Sequence, residues 1–512
     1  KHLEKFAESS PEDYLWCTHP AAALAMSEES CDVVVVGAGL SGFSAAHLLK
    51  KRQEQWKVLV LEGKGRVGGR TLTQHLPAAH GEDMWDMGGQ WVSSSQTHVM
   101  ELIRELGLEV SRQFTEGKKI HHMGGANAKI RTYTSSIPSF SFLALLDFIQ
   151  FLWKIERLCK TVSVEDPMTT PNAQQLDSMT LQSFMDRHIW TTGKPPALKQ
   201  AVDRSGGTQQ LSERLAEQVG KHSVRLGSAV TAIWQNEDHV EVKTATSTIN
   251  CKAVIVTCPP HMADWSPCVV VNPLPYWSLS QHSNDIRMAF WKRKGFSGEI
   301  VARPSEDCPF GVTFDATSHQ GSAALVGFIA GAQGSSWNSR ELVERKDAVI
   351  ASLVKYLGLE AASYIHYEEK DWSKEEYSGG CPVNVMVPGM LTYYHAGLRK
   401  PCGRALSPPF STSRIYWAGT ETATQWCGYL SGAVQAGQRA AVEVLAAECP
   451  SVLSESELQK VRADMNRAPQ ALQHLTGVSS HRASHFRLFL YLAVMVLTVG
   501  SVLWLVPEYG QY

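Results

Sequence analysis

The hydrophobic pattern near the start of the chain predicts parallel β-strands that are buried on both faces. Val33–Val36 form a continuous apolar run, and Val58–Leu61 form a second one. Strands covered on both sides are apolar at every position rather than at alternate positions. Between the two runs, a helical pattern extends through Leu48 and Leu49. This order predicts the strand, helix and strand that begin a Rossmann-like α/β domain.

Three stretches farther along the chain predict helices outside that domain. Residues 139–158 are strongly apolar, residues 348–359 are amphipathic at helical spacing, and residues 180–190 are helix-like. The chain has no internal repeat and no long low-complexity tract. We therefore expect a second, partly helical domain.

The two ends of the chain differ from the region between them. Residues 1–30 lack an apolar core of signal-peptide length, and we interpret them as a flexible leader. Residues 488–506 are uncharged, and their length is close to the roughly 20 residues that a transmembrane helix needs. We interpret them as a C-terminal membrane anchor, the alternative being a buried core helix. The polar residues 448–487 before them are predicted to be a tether.

Composition excludes several classes of function. Lys plus Arg number 48 and Asp plus Glu number 50, so the concentrated basic surface of a nucleic-acid-binding protein is not expected. The 11 cysteines are scattered, without a Cys-x-x-Cys pair. This pattern argues against a disulfide framework and against a zinc site, and it is typical of a reducing compartment.

A dinucleotide-binding motif follows the first apolar strand. Gly37, Gly39 and Gly42 have the spacing G-x-G-x-x-G, and Glu62 ends the second strand 20 residues beyond Gly42. The glycines permit a tight turn, close approach to a pyrophosphate and close packing of helix on strand. An acidic residue at the end of the second strand is the usual partner of ribose hydroxyls. Together they predict a dinucleotide cofactor; the alternative is a glycine-rich turn without a ligand.

The next residues favour a flavin over a nicotinamide cofactor. The sequence GKGRVGGR follows Glu62 and contains Arg66 and Arg70. A second glycine-rich run with two arginines after the ribose-binding acid suits an extended FAD held at its diphosphate, whereas nicotinamide enzymes have no general need of it.

Two later motifs make the chain resemble the flavin-dependent monoamine oxidases. Residues 417–440, WAGTETATQWCGYLSGAVQAGQRA, are similar to the C-terminal flavin motif of that family, and YSGGC at residues 377–381 is similar to its covalent-flavin segment. The resemblance extends from about residue 32 to residue 444, and a C-terminal membrane helix is also a feature of the family. It implies an FAD-binding domain of residues 31–112, 203–262 and 370–447. A substrate domain of mixed sheet and helices, residues 113–202 and 263–369, would be interleaved with it.

The resemblance assigns roles to individual residues. Cys381 matches the cysteine whose sulfur is bonded to the 8α-methyl carbon of FAD. Trp372 matches a tryptophan near the flavin, and Tyr429 matches one wall of an aromatic cage that orients the amine. The alternative for Tyr429 is a buried tyrosine with a satisfied hydroxyl. Further cofactor contacts are implied for Glu62, Arg66, Arg70, Val230, Gly419, Thr420 and Glu421.

The implied reaction is oxidation of a primary, or in some cases secondary, amine. The imine product is hydrolysed to an aldehyde, and O2 is reduced to hydrogen peroxide. Membership would place the protein in the outer mitochondrial membrane, facing the cytosol, and would allow a homodimer. Since the cofactor supplies the difficult chemistry, a metal site or a nucleophilic triad is not expected.

Three departures from the family pattern leave alternatives open. Pro382 stands where the family has the second aromatic wall, so Tyr393, Tyr394 or Trp426 would have to replace it. Arg287, four residues before a tryptophan, stands in the register of a family lysine that holds water at the flavin, and the two side chains are not interchangeable.

The third departure is a shortened segment, residues 191–205, where the family has several helices. We therefore keep two alternatives: an oxidase that prefers polyamines or diamines, and a catalytically impaired flavin-binding isoform.

Overall fold

The computed structural model describes most of the chain between residues 27 and 466. The described ranges are 27–123, 128–135, 142–164, 167–179, 181–189, 202–203, 207–236, 238–263, 268–269, 275–281, 289–306, 308–330, 332–383, 385–386 and 413–466. The strands are β1 Ser27–Ser30, β2 Val33–Val36, β3 Val58–Leu61, β4 Thr73–Ala78, β5 Gly81–Asp86, β6 Ser111–Arg112, β7 Lys118–His122, β8 Arg131–Tyr133, β9 Val202–Asp203, β10 Val224–Arg225, β11 Val230–Gln235, β12 Val240–Thr244, β13 Ser247–Cys251, β14 Ala253–Val256, β15 Cys268–Val269, β16 Pro275–Gln281, β17 Phe296–Ala302, β18 Val312–Asp315, β19 Ala324–Phe328, β20 Tyr364–Asp371, β21 Val385–Met386 and β22 Ile415–Trp417.

The helices lie mainly between these strands, with short 3-10 turns at several chain reversals. They are α1 Leu40–Arg52, α2 Thr97–Glu105, α3 Phe142–Cys159, α4 Ala173–Asp177, α5 Leu181–His188, α6 Gln210–Val219, α7 Phe290–Arg293, α8 Ala332–Trp337, α9 Leu342–Leu357, α10 Leu430–Glu448 and α11 Glu455–Asn466.

A five-stranded parallel sheet in the order β10-β3-β2-β14-β22 positions the dinucleotide motif. Alternate residues of its strands face opposite layers. Val33 and Val35 pack in the cluster formed with α1, α6 and α10. Val34 packs instead in the cluster formed with the four-stranded sheet β1-β13-β12-β11. Because both faces are covered, every position of β2 and β3 is apolar, and the predicted mixed α/β fold is confirmed.

A second sheet has seven strands in the order β20-β16-β19-β18-β17-β7-β8. Its neighbours are antiparallel except for β17 and β7, which are parallel. One hydrophobic core joins it to α7 and α9 through Ile300, Leu325 and Leu353. Another joins it to the hairpin β4–β5 and contains both Trp372 and Cys381. The second core therefore connects the seven-stranded sheet with the predicted flavin segment.

The structure corrects the predicted ends of the folded body. Ser27–Ser30, assigned to the leader, form β1, because their backbone pairs in parallel with β13 whatever the polarity of their side chains. The first part of the predicted tether is also folded. Leu453 and Val461 are buried, and Leu458 packs against the core of the parallel sheet.

The predicted membrane anchor, residues 488–506, lies outside the described residues. Among the residues that the structure describes, no helix is both long and apolar enough to cross a bilayer.

Candidate active site

The turn between β2 and α1 is shaped by its glycines. Gly37 has a φ of +105°, and its amide donates to the carbonyl of Leu61 at 2.7 Å. A Cβ on Gly42 would lie only 2.0 Å from the carbonyl oxygen of Gly37. Gly39 is the residue before the first turn of α1. The turn thus presents the N-terminus of a long helix, whose unpaired amides suit a phosphate group.

Glu62 is buried at the end of β3, beside this turn. The amide of Ala38 donates to its Oε2 at 2.8 Å, and the amide of Lys64 donates to its Oε1 at 3.0 Å. The amide of Ser228 donates to the carbonyl oxygen of Glu62 at 2.7 Å, two residues before Val230 begins β11. The structure therefore brings Glu62 and Val230 to the same end of the glycine turn.

Arg66 is engaged with its own loop. Its guanidinium donates to the carbonyls of Val67, Gly69 and Thr71 at 3.0–3.2 Å, and to Glu375 Oε1 at 2.6 Å. These contacts fix the shape of the glycine-rich segment. Arg66 is therefore placed to hold the loop that would surround a diphosphate, rather than to extend toward it.

Glu375 connects that loop to the segment before Cys381, and sequence reasoning missed it. Its carboxylate accepts from Lys64 at 2.7 Å, from Arg66, and from Lys370. Burial raises the pKa of Glu375, but these hydrogen bonds outweigh it and lower the pKa to about 2. Since its partners lie up to 311 positions away in the sequence, no local pattern indicates the cluster.

Arg70 joins three of the predicted motifs. Its Nη1 and Nη2 donate to the two carboxylate oxygens of Glu421 at 2.5 and 3.0 Å, and Nη1 also donates to the carbonyl of Pro382 at 2.9 Å. Burial lowers the pKa of Arg70, but the adjacent Glu421 carboxylate offsets this and raises it. The diphosphate loop, the Cys381 loop and the C-terminal flavin motif therefore meet at one guanidinium.

Cys381 lies in a hydrophobic cluster with Trp372, Trp85 and Met87. The thiol-bearing residue is 8% exposed and forms no disulfide. The indole of Trp372 is buried, and its Nε1 donates to the carbonyl of Met87 at 2.8 Å. The structure therefore places Trp372 and Cys381 in one hydrophobic cluster, next to the hairpin β4–β5.

Tyr429 is the residue immediately before α10, and its ring meets the ring of Trp426 edge to face. The ring centroids are 5.3 Å apart, with an interplanar angle of 78°. Burial raises the pKa of the Tyr429 hydroxyl. Thr420 fixes the backbone here, since its hydroxyl donates to the Tyr429 carbonyl at 3.0 Å. Trp426 is thus the aromatic neighbour of Tyr429 in the described part of the chain.

Gly419 lies between the parallel sheet and the glycine turn. Its amide donates to the hydroxyl of Ser41 in α1 at 2.9 Å, and its carbonyl accepts from the hydroxyl of Thr422 at 3.0 Å. The predicted residues Gly419, Thr420 and Glu421 therefore border the same site as Arg70.

His261 is a second residue that the sequence analysis missed. Both of its ring nitrogens are inaccessible to solvent, and neither has a hydrogen-bond partner within the part of the chain that the structure describes. Its Nε2 lies beside the Cys381 loop, because a Cβ on Gly379 would come within 2.6 Å of it. Burial lowers the pKa of His261, which favours the neutral ring. A buried donor and acceptor left open toward a loop are typical of a ligand position.

Arg287, Tyr393 and Tyr394 lie outside the described residues, so their roles stay predictions. Lys292, five residues after Arg287 in the sequence, donates to the hydroxyl of Thr317 at 2.8 Å and forms an ion pair with Asp315 at 3.0 Å.

Comparisons with known proteins agree with this geometry. The family described as "Flavin containing amine oxidoreductase" matches residues 40–186 and 158–445. The flavin-containing amine oxidase of Oncorhynchus mykiss is 32% identical over 82% of this chain and 86% of its own length. Human flavin-containing amine oxidase B is 32% identical over 81% of this chain and 86% of its own.

Solved structures give the same result for the fold. Cyclohexylamine oxidase from Brevibacterium oxydans is 26% identical, with a TM-score of 0.70, over 81% of this chain and 98% of its own. Wild-type putrescine oxidase bound to putrescine is 24% identical, with a TM-score of 0.71, over 82% of this chain and 100% of its own.

The fold and the site define a flavin-dependent oxidoreductase built on an α/β dinucleotide-binding domain. The chain belongs to the flavin-containing amine oxidase family, whose members use FAD to oxidise amines. This confirms the predicted family, enzyme class and general reaction.

Proposed function

We propose that the protein oxidises primary amines to imines, which water hydrolyses to aldehydes, and that O2 is reduced to hydrogen peroxide. FAD, when bound, accepts the two electrons from the amine and passes them to O2. The observation that carries the proposal is the contact set of Arg70, which draws together the loops that would hold the two halves of the cofactor.

The described residues fit FAD along its length. The α1 N-terminus, with Arg70 nearby, would hold the diphosphate, and Glu62 would accept hydrogen bonds from the ribose. Val230 would border the adenine. The open nitrogens of His261, beside the Cys381 loop, suit a polar group of the isoalloxazine end.

On the substrate side, we assign Tyr429 and Trp426 to the orientation of the amine. Two rings at an edge-to-face angle form an aromatic corner that would limit how an alkyl or aryl amine can lie. Removal of the amine from water also disfavours the ammonium form relative to the neutral amine, whose lone pair the oxidation requires. In this assignment, Trp426 replaces the wall that Pro382 lacks.

We also propose that the flavin is bonded to the sulfur of Cys381. The Cys381 thiol, the 8α-methyl group of FAD and O2 would give a thioether and hydrogen peroxide, so that atoms and electrons balance. Arg70 supports this assignment, because its Nη1 donates to the carbonyl of Pro382 at 2.9 Å and so places a cation beside the Cys381 loop.

Flavin fluorescence of the protein band on a denaturing gel tests the attachment. The wild-type band should fluoresce, and the band of Cys381→Ala should be dark. Cys427→Ala is the matched control, since Cys427 is another cysteine close enough to Arg70 to affect its pKa. A fluorescent Cys381→Ala band, or a dark wild-type band, would contradict the thioether.

Substrate preference is tested with an amine panel and peroxide detection. We expect higher kcat/KM for aromatic monoamines than for diamines or polyamines. The contrary order would favour the alternative of a diamine- or polyamine-preferring oxidase. That alternative is based on Pro382, which stands in place of an aromatic residue. Protein that binds FAD but is not reduced by any amine would favour the impaired isoform.

We further propose that residues 488–506 anchor the protein in the outer mitochondrial membrane, with the body facing the cytosol. The proposal rests on the uncharged sequence of that segment and on family membership. Alkaline carbonate extraction and protease protection of isolated mitochondria test it. Release by carbonate, or protection of the body from protease in intact mitochondria, would contradict it. Whether two copies form a homodimer is tested by light scattering in detergent.

A further inference from the structure

Helix α3 is apolar on two opposite faces. Its inner face packs Phe151 and Ile155 against Met179 and against Phe184 of α5, which forms a small hydrophobic core. Its other face is exposed in the part of the chain that the structure describes. An amphipathic surface helix normally has polar residues there, so the second apolar face requires a separate explanation.

The uncovered face contains large apolar side chains at helical spacing. Leu143 is 71% exposed, Leu146 48%, Ile149 40% and Trp153 69%. With about 100° of rotation per residue, these positions form one stripe nearly opposite Phe151 and Ile155. We call this stripe, together with the basic residues described next, the α3 outer face. A contiguous exposed apolar stripe of this kind marks an interaction site.

The last turns of the helix add positive charge to the same face. Lys154, Arg157 and Lys160 are exposed and lie on the side of Trp153, and the only acid among them is Glu156. Glu156 accepts from Lys160 at 3.3 Å in a solvent-exposed pair. The face therefore combines an apolar stripe with a net positive end.

We propose that the α3 outer face lies on an anionic phospholipid surface, with the helix axis parallel to the bilayer. Leucine and tryptophan side chains insert at the boundary between headgroups and acyl chains, while lysine and arginine contact the phosphates. The buried Asp147 and the charged last turns make α3 unsuitable to cross the bilayer. This interaction is separate from the amine-oxidase site, so it stands or fails independently of the proposed function.

Charge complementarity favours lipid over a second copy of the chain. A twofold contact through this face would bury the same residues from both copies. The basic end would then find either another basic end or the apolar stripe, and Glu156 is the only acid to offset three cations. Anionic headgroups, in contrast, supply a negative partner for every cation.

Site-specific photocrosslinking in the full-length protein tests the proposal. The variant Trp153→p-benzoylphenylalanine carries the photoreactive group at the α3 outer face. The protein is reconstituted in vesicles of phosphatidylcholine and phosphatidylserine, irradiated, and analysed for lipid adducts. The matched control places the same group at Val343 of α9, which is 62% exposed. We expect a lipid adduct at position 153 in several-fold excess over position 343.

A second variant tests the contribution of charge. Each basic residue near an anionic surface changes binding by about fivefold. Lys154→Gln, Arg157→Gln and Lys160→Gln together should therefore lower the adduct at position 153 by up to about a hundredfold on anionic vesicles and little on pure phosphatidylcholine. Because these side chains are exposed, flavin content and thermal unfolding should not change, which separates loss of lipid contact from misfolding.

Three results would overturn the proposal. The first is an equal lipid yield at positions 153 and 343. The second is a crosslink from position 153 to another copy of the chain, which would identify the face as a dimer interface. The third is an adduct that is insensitive to both anionic lipid and the charge variant.

Discussion

The contact between Arg70 and Glu421 allows a quantitative prediction. Arg70→Gln removes a bidentate ion pair and the hydrogen bond to the Pro382 carbonyl, and it leaves the buried Glu421 carboxylate without its cation. Removing one partner of a buried ion pair costs about 3–5 kcal/mol, mostly because the other charge remains buried. We therefore expect Arg70→Gln to be destabilised by about that amount.

The expected shift in melting temperature follows from the size of the protein. Unfolding entropy is about 2 cal/mol/K per residue, so a chain of 512 residues loses about 1 °C of melting temperature per kcal/mol if it unfolds as one unit. Arg70→Gln should thus melt about 3–5 °C below wild type. The apoprotein should show this shift, because the ion pair is formed without cofactor atoms.

A double-mutant cycle distinguishes the ion pair from general disruption. Glu421→Gln alone should also destabilise the protein, since it leaves Arg70 unpaired. The double variant Arg70→Gln/Glu421→Gln should lose clearly less than the sum of the two single shifts. The measurement is thermal unfolding followed by intrinsic fluorescence. Additive shifts would refute the reasoning, because they would mean that the two side chains do not stabilise each other.

Three further predictions address other parts of the site. In Glu375→Gln we expect the free energy of unfolding to fall by about 2 kcal/mol, since three cations lose their carboxylate partner. Thermal unfolding measured against pH should show that wild type, but not the variant, loses this contribution as pH falls from 4.5 toward about 2. The reason is that the pKa of Glu375 is lowered in the folded state. Gly42→Ala should abolish flavin absorbance of the purified protein, because its Cβ would lie 2.0 Å from a carbonyl oxygen, whereas Gly65→Ala, with no atom within 4 Å, should retain it; equal flavin content would contradict this. Trp426→Leu should lower kcat/KM for aromatic amines about tenfold, as expected for the loss of one aromatic contact. Tyr429→Phe should change kcat/KM much less. Equal effects would mean that the tyrosine hydroxyl, rather than the aromatic corner, determines binding.

The parts of the fold that local sequence specifies were predicted well. The strands at Val33–Val36 and Val58–Leu61 have the predicted bounds, because burial on both faces makes every residue apolar. Glycine spacing also depends on local geometry. Gly42 lies inside α1 rather than before it, where its missing side chain lets the helix approach Gly37.

Features that depend on distant partners were not predicted. The hydrogen bond from Arg66 to Glu375, 309 positions away, is a tertiary contact that spacing does not encode. The environment of His261 likewise depends on a segment more than a hundred positions away. The apolar residues of α3 predicted a helix correctly, but not that one of its faces is exposed.

The same long-range assembly makes flavin loading a test of the folded body. Arg70 contacts residues 312 and 351 positions away, so the diphosphate loop and the Cys381 loop are in place only when distant segments have folded together. If the shortened segment at residues 191–205 prevented this folding, flavin would not be retained at all. A protein that retains flavin but oxidises no amine would instead have its defect on the substrate side, where Pro382 departs from the family pattern. Flavin content measured together with amine turnover therefore separates a failure of folding from a change in substrate recognition.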